Sequence, residues 1–167
     1  SVLGYLMAYN GQIEWVKILL LSLAGFLITG AANGFNQVLE KDYDKLMKRT
    51  ANRPIAAGRM TTTEGVLIAG LCGIAGLLIL WYWFNDLAAL IGAISMLSYA
   101  FVYTPLKRIS PIAILVGAIP GALPPTIGWV AATSVLSYEA YVLFAIQFLW
   151  QFPHFWAIGW LGAEEYA

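Results

Sequence analysis

Long apolar runs separated by short polar breaks make up almost the whole chain. Each of the main runs is close to the roughly 20 apolar residues that cross a bilayer as a helix. Residues 1–9 are too short to span, so we expect them to be the end of a first helix. The expected fold class is all-α, a polytopic transmembrane helical bundle with about five full spans plus the end of a first one. The predicted spans are residues 14–44, 64–84, 87–104, 112–132 and 140–161.

The composition agrees with a membrane protein and excludes a soluble globular domain. Hydrophobic residues make up 60% of the 167 residues and charged residues only 11%, against about 25% in soluble domains. Cys72 is the only cysteine, which excludes an internal disulfide. The chain begins at Ser1 without a methionine and ends abruptly, so we interpret residues 1–167 as a single transmembrane domain truncated from a longer protein. We expect the lipid bilayer as its surroundings and no nucleic-acid partner.

The charged residues are strongly clustered, although the formal net charge is zero. If the helices alternate in direction, loops 41–63 and 105–111 lie at the same end of the bundle. These loops hold eight of the nine lysines and arginines, and only Lys17 lies at the opposite end. By the positive-inside rule the basic end faces the cytoplasm. We therefore expect a multi-pass protein of the cell inner membrane whose polar mouth opens to the cytoplasm.

The second predicted helix ends in a row of polar side chains. Asn36, Glu40 and Asp44 are spaced i, i+4 and i+8, which places them on one helix face, whereas Asp42 points nearly the opposite way. Two carboxylates and an amide on one face suit Mg²⁺, which takes one or two carboxylates and completes its shell with water and phosphate oxygens. The alternative is a solvated helix end with i,i+4 ion pairs, and the spacing alone leaves both interpretations open.

The segment that follows this row is basic. Arginine side chains bind phosphate in a bidentate manner, so the loop after Asp44 favours an anionic ligand close to the acidic row. Positive-inside topology alone would also place basic residues there, without requiring any particular order of them. We therefore treat the loop as support for a metal-bridged anion site and keep the topological explanation as the alternative.

Three prolines fall inside the fifth predicted helix, in the segment GAIPGALPP. Because proline lacks a backbone donor and clashes with the preceding turn, this segment is expected to kink or locally unwind. Within a membrane such breaks are tolerated chiefly where the freed carbonyls contact protein or a polar cavity. We therefore expect the carbonyls of this segment to face the interior of the bundle.

Four ordered motifs resemble the UbiA-type intramembrane prenyltransferases, and within that superfamily the branch that farnesylates haem. The resemblance covers nearly the whole chain. It departs from the common pattern at Glu40, where many members have aspartate. The matching segments are NQVLEKDYDKLMKRTANRP (36–54), YTPLKR (103–108), GALPPTIGWVA (121–131) and WQFPHFWAIGWLGAEEY (150–166).

The resemblance implies a bundle with a central cavity open to the cytoplasm, in which Mg²⁺ holds an isoprenoid diphosphate. By matched position, it assigns the catalytic and metal-binding roles to Asn36, Glu40 and Asp44. It further implies diphosphate contacts from Arg49, Arg53, Lys107 and Arg108, a haem side at His154 and Tyr103, and additional metal ligands at Glu164 and Glu165. From its place beside Pro153 we expect His154 to face the same cavity as Asp44, and the alternative is that it caps a carbonyl freed by the proline.

The activity implied by the resemblance is farnesyl transfer from farnesyl diphosphate to a vinyl group of haem B, giving haem O and pyrophosphate with Mg²⁺ as cofactor. A partner that accepts haem O for haem A synthesis is also expected. One alternative is a UbiA-type enzyme that prenylates an aromatic quinone precursor, which the segment PHF at 153–155 argues against. A second is a membrane transporter, which the apolar helix interiors argue against. A third is that the truncated chain is inactive.

Overall fold

The computed structural model describes residues 1–161, and this part of the chain is helical without β-strands. Five of its helical segments are long and apolar enough to cross a membrane, which confirms the expected fold class. Counting the partial helix Val2–Ala8 as the end of a first span, the fourth span (Asp86–Leu106) is a composite, in which an α-helix continues through a π-helical turn into a second, short α-helix. The elements are α1 (Val2–Ala8), α2 (Trp15–Asp44), α3 (Thr62–Trp83), α4 (Asp86–Leu97), the π-helical turn (Ser98–Tyr103), α5 (Thr104–Leu106), α6 (Ala113–Thr133) and α7 (Tyr138–Leu161).

The predicted boundaries hold within a few residues, with one correction. Residues 105 and 106 were expected in the loop 105–111, but they continue the fourth span as helix. Pro105 lies in the first turn of α5, directly after the π-helical turn. The start of α3 is fixed by a capping box, in which Thr61 accepts a hydrogen bond from the Glu64 backbone and Glu64 accepts one from that of Thr61.

Helices α2 and α3 pack antiparallel through small residues. A Cβ atom placed on Gly34 would lie 2.9 Å from that of Ala69, and one on Gly76 would lie 2.8 Å from the Ile28 side chain. Between membrane helices, where hydrophobic burial gives no net advantage over lipid, such close backbone approach supplies the packing energy. This pair therefore forms a rigid support for the polar C-terminal end of α2.

The proline-rich helix α6 is continuous over its whole length, so of the two expected effects local unwinding does not occur, while a kink stays a prediction. Pro124 and Pro125 remove the donors that would bond the carbonyls of Pro120 and Gly121. Side chains from neighbouring helices replace them: Ser95 Oγ donates to the Pro120 oxygen (3.3 Å) and Gln151 Nε2 to the Gly121 oxygen (3.2 Å). The expectation that freed carbonyls contact protein is confirmed at these two positions, and tertiary contacts keep the helix intact.

The two basic loops lie at the same end of the bundle, as the charge pattern predicts. Arg53 pairs with Asp44 at the end of α2, and Lys107 pairs with Glu40 on the same helix, so both loops meet there. Because α2 and the fourth span both finish at this end, Lys17 and Asp86, near their starts, lie at the other. There the Lys17 ammonium and the Tyr9 hydroxyl both donate hydrogen bonds to the Glu14 carboxylate. These two bonds, the one from Lys17 most of all, lower the pKa of Glu14.

Candidate functional site

A cavity of about 550 Å³ opens at the basic end of the bundle. Its walls come from the C-terminal end of α2, the loop after it, the π-helical turn, the loop after α5, the start of α6 and the C-terminal half of α7. Of the nine residues assigned from the sequence to metal and diphosphate, the seven that lie within residues 1–161 all line it, together with Tyr103. The full lining is Asn36, Glu40, Tyr43, Asp44, Met47, Arg49, Thr50, Arg53, Tyr99, Tyr103, Lys107, Arg108, Ile114, Phe155, Ile158 and Gly159.

The acidic row on α2 is buried against this cavity. Asn36, Glu40 and Asp44 are only 4%, 6% and 4% exposed, and Asn36 Nδ2 donates to Glu40 Oε2 at 2.9 Å. Asp42 has a side chain that is 70% exposed and pairs with Lys45 at 3.3 Å, so it turns away as predicted. The burial contradicts the alternative of a solvated helix end, since charged groups are rarely buried without a specific partner.

Each buried carboxylate is neutralised by a cation from elsewhere in the chain. Arg53 Nη1 lies 2.9 Å from both carboxylate oxygens of Asp44. Lys107 Nζ lies 2.5 Å from Glu40 Oε2, and Arg108 reaches Glu40 Oε1 at 3.4 Å while donating to the Leu39 carbonyl at 2.9 Å. These contacts bring two distant basic segments onto one acidic helix face. The result is an arrangement of alternating charge at the cavity wall.

Aromatic rings support the cations. The Arg108 guanidinium lies 4.0 Å from the centroid of the Tyr43 ring, and Lys107 Nζ lies 5.7 Å from that of Tyr103. Tyr103 can take its position because Gly117 on α6 has no side chain: a Cβ there would lie 2.6 Å from the ring. The glycine therefore fixes where the tyrosine, and with it the lysine, can lie.

The expectation that His154 faces the cavity is wrong. His154 is exposed and stacks on Trp150, with ring centroids 4.6 Å apart, while the next residue, Phe155, lines the cavity. Consecutive helical residues point about 100° apart, and α7 continues through Pro153 as helix. The haem-side role of His154 therefore has no geometric support here. Glu164 and Glu165 lie outside the described residues.

Sequence reasoning missed three residues of the site. Thr104 is fully buried and accepts a hydrogen bond from the Asn36 amide. Thr50 Oγ1 donates to the Asp44 carbonyl at 3.0 Å, and the ring of Tyr43 contacts the Arg108 guanidinium. The i, i+4 spacing of Tyr99, Tyr103 and Lys107 on the fourth span could have suggested a shared face. Nothing in the sequence pointed to a threonine.

The oxygen ligands at the cavity suit Mg²⁺, which keeps some water or phosphate ligands, better than a metal ion that is coordinated by protein side chains alone. Within residues 1–161 no group of three or more histidine, cysteine, aspartate or glutamate side chains is placed to hold a metal. Glu40, Asp44 and the amide oxygen of Asn36, whose residues all line the cavity, supply only hard oxygen ligands. Mg²⁺ is bound in this way when phosphate oxygens and water complete its shell. Together these groups can hold a doubly anionic head group beside an apolar helix bundle.

A transmembrane helical bundle with buried carboxylates and cations at one mouth has the features of an intramembrane prenyltransferase. The model of the UbiA prenyltransferase family matches residues 1–166, and the chain belongs to this family. The chain is 50% identical to a protein named protoheme IX farnesyltransferase from Cytophaga hutchinsonii, over 99% of this chain and 58% of the relative. A protein of the same name from Flavobacterium johnsoniae is 46% identical, over 100% of this chain and 56% of the relative.

Solved structures confirm the fold. The apo structure of a UbiA homologue from Aeropyrum pernix K1 matches 90% of this chain and 56% of that one, with a TM-score of 0.73 and 22% identity. A structure described for digeranylgeranylglyceryl phosphate synthase matches 89% of this chain and 51% of that one, with a TM-score of 0.76 and 22% identity. The chain thus spans little more than half the length of these relatives.

Proposed function

We propose that the protein transfers the farnesyl group of farnesyl diphosphate to a vinyl group of haem B, giving haem O and pyrophosphate. The observation that carries the proposal is the buried row Asn36, Glu40 and Asp44, whose two carboxylates pair with cations of two separate loops at the wall of one cavity. The names of the relatives that are 50% and 46% identical support haem as the acceptor. In this reaction the allylic C–O bond breaks, a bond forms to a vinyl carbon, and water adds to the resulting cation and loses a proton.

Binding of the diphosphate would require an exchange of partners. Arg53, Lys107 and Arg108 now neutralise Asp44 and Glu40, and diphosphate oxygens would offer them equivalent charge-assisted hydrogen bonds. The carboxylates would then be available, with the Asn36 oxygen, to hold Mg²⁺. When bound, Mg²⁺ neutralises the charge of the departing pyrophosphate. The exchange leaves no buried charge unpaired in either state.

The chain's own residues would stabilise both products of bond cleavage. Arg53 and Lys107 lie at the cavity wall, where negative charge accumulates on the leaving pyrophosphate. Tyr99 and Tyr103, with centroids 5.4 Å apart, and Phe155 present aromatic rings to the same cavity. Ring faces stabilise a positive charge that is shielded from water, here the allylic cation. No general base is needed for cleavage.

The proposal includes an orientation in the inner membrane with the cavity open to the cytoplasm. The support is the placement of eight of the nine lysines and arginines at the cavity end. A cysteine introduced at Arg59 should react with an impermeant thiol reagent from the cytoplasmic side, and one at Lys17 only from the opposite side. Labelling of both from one side would contradict the orientation. A protein that takes up haem O for haem A synthesis is the partner that this proposal implies.

One observation favours a second candidate, a UbiA-type enzyme that prenylates an aromatic quinone precursor. The only histidine, His154, lies outside the cavity lining, which removes one expected contact to haem. Of the two candidates we favour haem, because the relatives with high identity carry the haem-related name.

The decisive experiment supplies the purified full-length protein with farnesyl diphosphate and either haem B or 4-hydroxybenzoate, with Mg²⁺ or EDTA. We expect haem O, identified by mass spectrometry, only with haem B and only when Mg²⁺ is present. Prenylated hydroxybenzoate without haem O would favour the second candidate. Undiminished turnover in EDTA would contradict the role of Glu40 and Asp44 as metal ligands.

A further inference from the structure

Thr104 is the first residue after the π-helical turn and is completely buried. Its backbone N–H bonds to the Tyr99 carbonyl, and its side-chain Oγ1 donates to the same oxygen at 2.9 Å. In a regular α-helix, a threonine hydroxyl that bonds back to the helix meets the carbonyl three or four residues earlier. The π-helical turn instead presents the carbonyl five residues earlier. It thereby sets where the hydroxyl of Thr104 lies.

The Thr104 hydroxyl allows only one orientation of the Asn36 side-chain amide. A threonine hydroxyl has a single proton, and here that proton is used on the Tyr99 carbonyl, so Oγ1 can only accept a further hydrogen bond. Asn36 Nδ2 lies 3.1 Å from Oγ1 and 2.9 Å from Glu40 Oε2, which also only accepts when ionised. Both neighbours therefore require the NH₂ group of the amide on this side.

The opposite end of the amide is consequently an oxygen. Asn36 Oδ1 points toward Arg53, at 3.5 Å from Nη1, on the side where Asp44 and the cavity lie. A rotated amide would place its NH₂ group against the guanidinium and against any cation held by the carboxylates. It would also set its oxygen against two acceptors. Both changes are unfavourable inside a low-dielectric protein.

We propose that Thr104 is a positioning residue that fixes the amide of Asn36, so that an oxygen and not an NH₂ group faces the metal and diphosphate. This inference rests on the proposed function, since it assigns to Asn36 a ligand that the reaction requires. Thr104 itself does not line the cavity, so it would touch neither metal nor diphosphate. Hydrogen bonds that orient a metal ligand typically contribute 10-fold to 100-fold to metal affinity.

The test measures how much Mg²⁺ the full-length protein needs to bind pyrophosphate, by calorimetric titration without turnover. Thr104→Val keeps the shape but removes the hydroxyl, and we expect the half-maximal Mg²⁺ concentration to rise about 10-fold or more. Thr104→Ser keeps the hydroxyl and should stay close to wild type. The matched control is Thr126→Val, another buried threonine whose hydroxyl faces a carbonyl, that of Ala140 at 3.5 Å, away from the cavity.

A second variant pair separates orientation from packing. In Asn36→Asp both terminal atoms of residue 36 are oxygens, so an oxygen faces the cavity in either rotation. One of them then lies against Glu40 Oε2, so the effect of Thr104→Val is compared only within each residue-36 background. Thr104→Val should therefore raise the Mg²⁺ requirement in the wild-type background and not in the Asn36→Asp background. If Thr104→Val does not fold, Thr104→Ala serves in the same comparison, because it also lacks the hydroxyl and adds no bulk.

Three outcomes would overturn the inference. An unchanged Mg²⁺ requirement in Thr104→Val would show that the hydroxyl does not act on the site. An equal loss in Thr104→Ser would indicate packing instead of hydrogen bonding, and an equal loss in both residue-36 backgrounds would exclude orientation. Failure of the wild-type protein to bind pyrophosphate with Mg²⁺ would instead refute the proposed function, and with it the ligand that Thr104 is inferred to position.

Discussion

Replacing Asp44 by alanine tests whether its carboxylate serves stability, function or both. The substitution removes the partner of Arg53, whose Nη1 lies 2.9 Å from both carboxylate oxygens. The Asp44 side chain is 5% exposed and that of Arg53 is 31% exposed, so the change leaves a partly buried guanidinium without its main anion. Asn36 Oδ1, at 3.5 Å, is a weak substitute.

The expected cost follows from this geometry. Removing one partner of a fully buried ion pair costs about 3–5 kcal/mol because the other charge is left uncompensated. Water reaches nearly a third of the Arg53 side chain and screens the charge, so we expect about 2–3 kcal/mol for Asp44→Ala. Asp42→Ala breaks an exposed pair with Lys45 at 3.3 Å and should cost at most about 1 kcal/mol.

The assay is equilibrium unfolding of the full-length protein in mixed micelles, followed by tryptophan fluorescence, together with farnesyl transfer to haem. Asp44→Ala should lose transfer by about 100-fold or more, as when one group that stabilises developing charge is removed. The double variant Asp44→Ala/Arg53→Ala removes both charges. It should regain part of the stability without regaining any transfer.

Two results would refute this reasoning. Equal losses of transfer in Asp42→Ala and Asp44→Ala would mean that the helix face does not decide which carboxylate acts. A double variant less stable than Asp44→Ala by the full cost of Arg53→Ala would mean that the two side chains are not energetically coupled. Either result would leave the description of the fold unchanged. It would remove the basis for the proposed exchange, in which diphosphate oxygens replace the carboxylates as partners of the cations.

Three further substitutions have expected outcomes. Gly117→Ala should destabilise the protein by about 1–3 kcal/mol and raise the KM for farnesyl diphosphate, because its Cβ would lie 2.6 Å from the Tyr103 ring. Gln151→Leu should cost about 1–3 kcal/mol in the same unfolding assay, since it leaves the Gly121 carbonyl without its donor inside the bundle. Glu40→Asp should retain transfer, because it keeps the carboxylate and restores the residue that the family pattern commonly has.

Matched controls distinguish these effects from general damage. Gly70→Ala adds the same methyl group to a membrane helix at a position with nothing within 4 Å, and should leave stability and KM unchanged. Gln147→Leu, one turn before Gln151 on α7, should cost less than Gln151→Leu. A Gly117→Ala protein indistinguishable from Gly70→Ala would show that the Tyr103 ring is free to move. Loss of transfer in Glu40→Asp would show that the reach of the carboxylate toward Lys107 matters as much as its charge.

The sequence alone determined the features that depend on local periodicity and on the bilayer. Apolar runs of membrane length specified the spans, because an isolated backbone can cross lipid only as a helix. The 100° turn per residue placed Glu40 and Asp44 on one face and Asp42 on another, whatever they pack against. The basic asymmetry placed both loops at one end. Each of these features follows from a single segment and its solvent.

Tertiary structure decided everything that depends on contacts between distant segments. Lys107 reaches Glu40 across 67 positions, a pairing that no local pattern encodes. Helix α6 stays continuous because Ser95 and Gln151 donate from other helices to its freed carbonyls. His154 was expected at the cavity from its neighbours in sequence, but the rotation of α7 against α6 places Phe155 there instead. Rotation and pairing of helices result from packing over whole surfaces, which the residues of one segment do not fix.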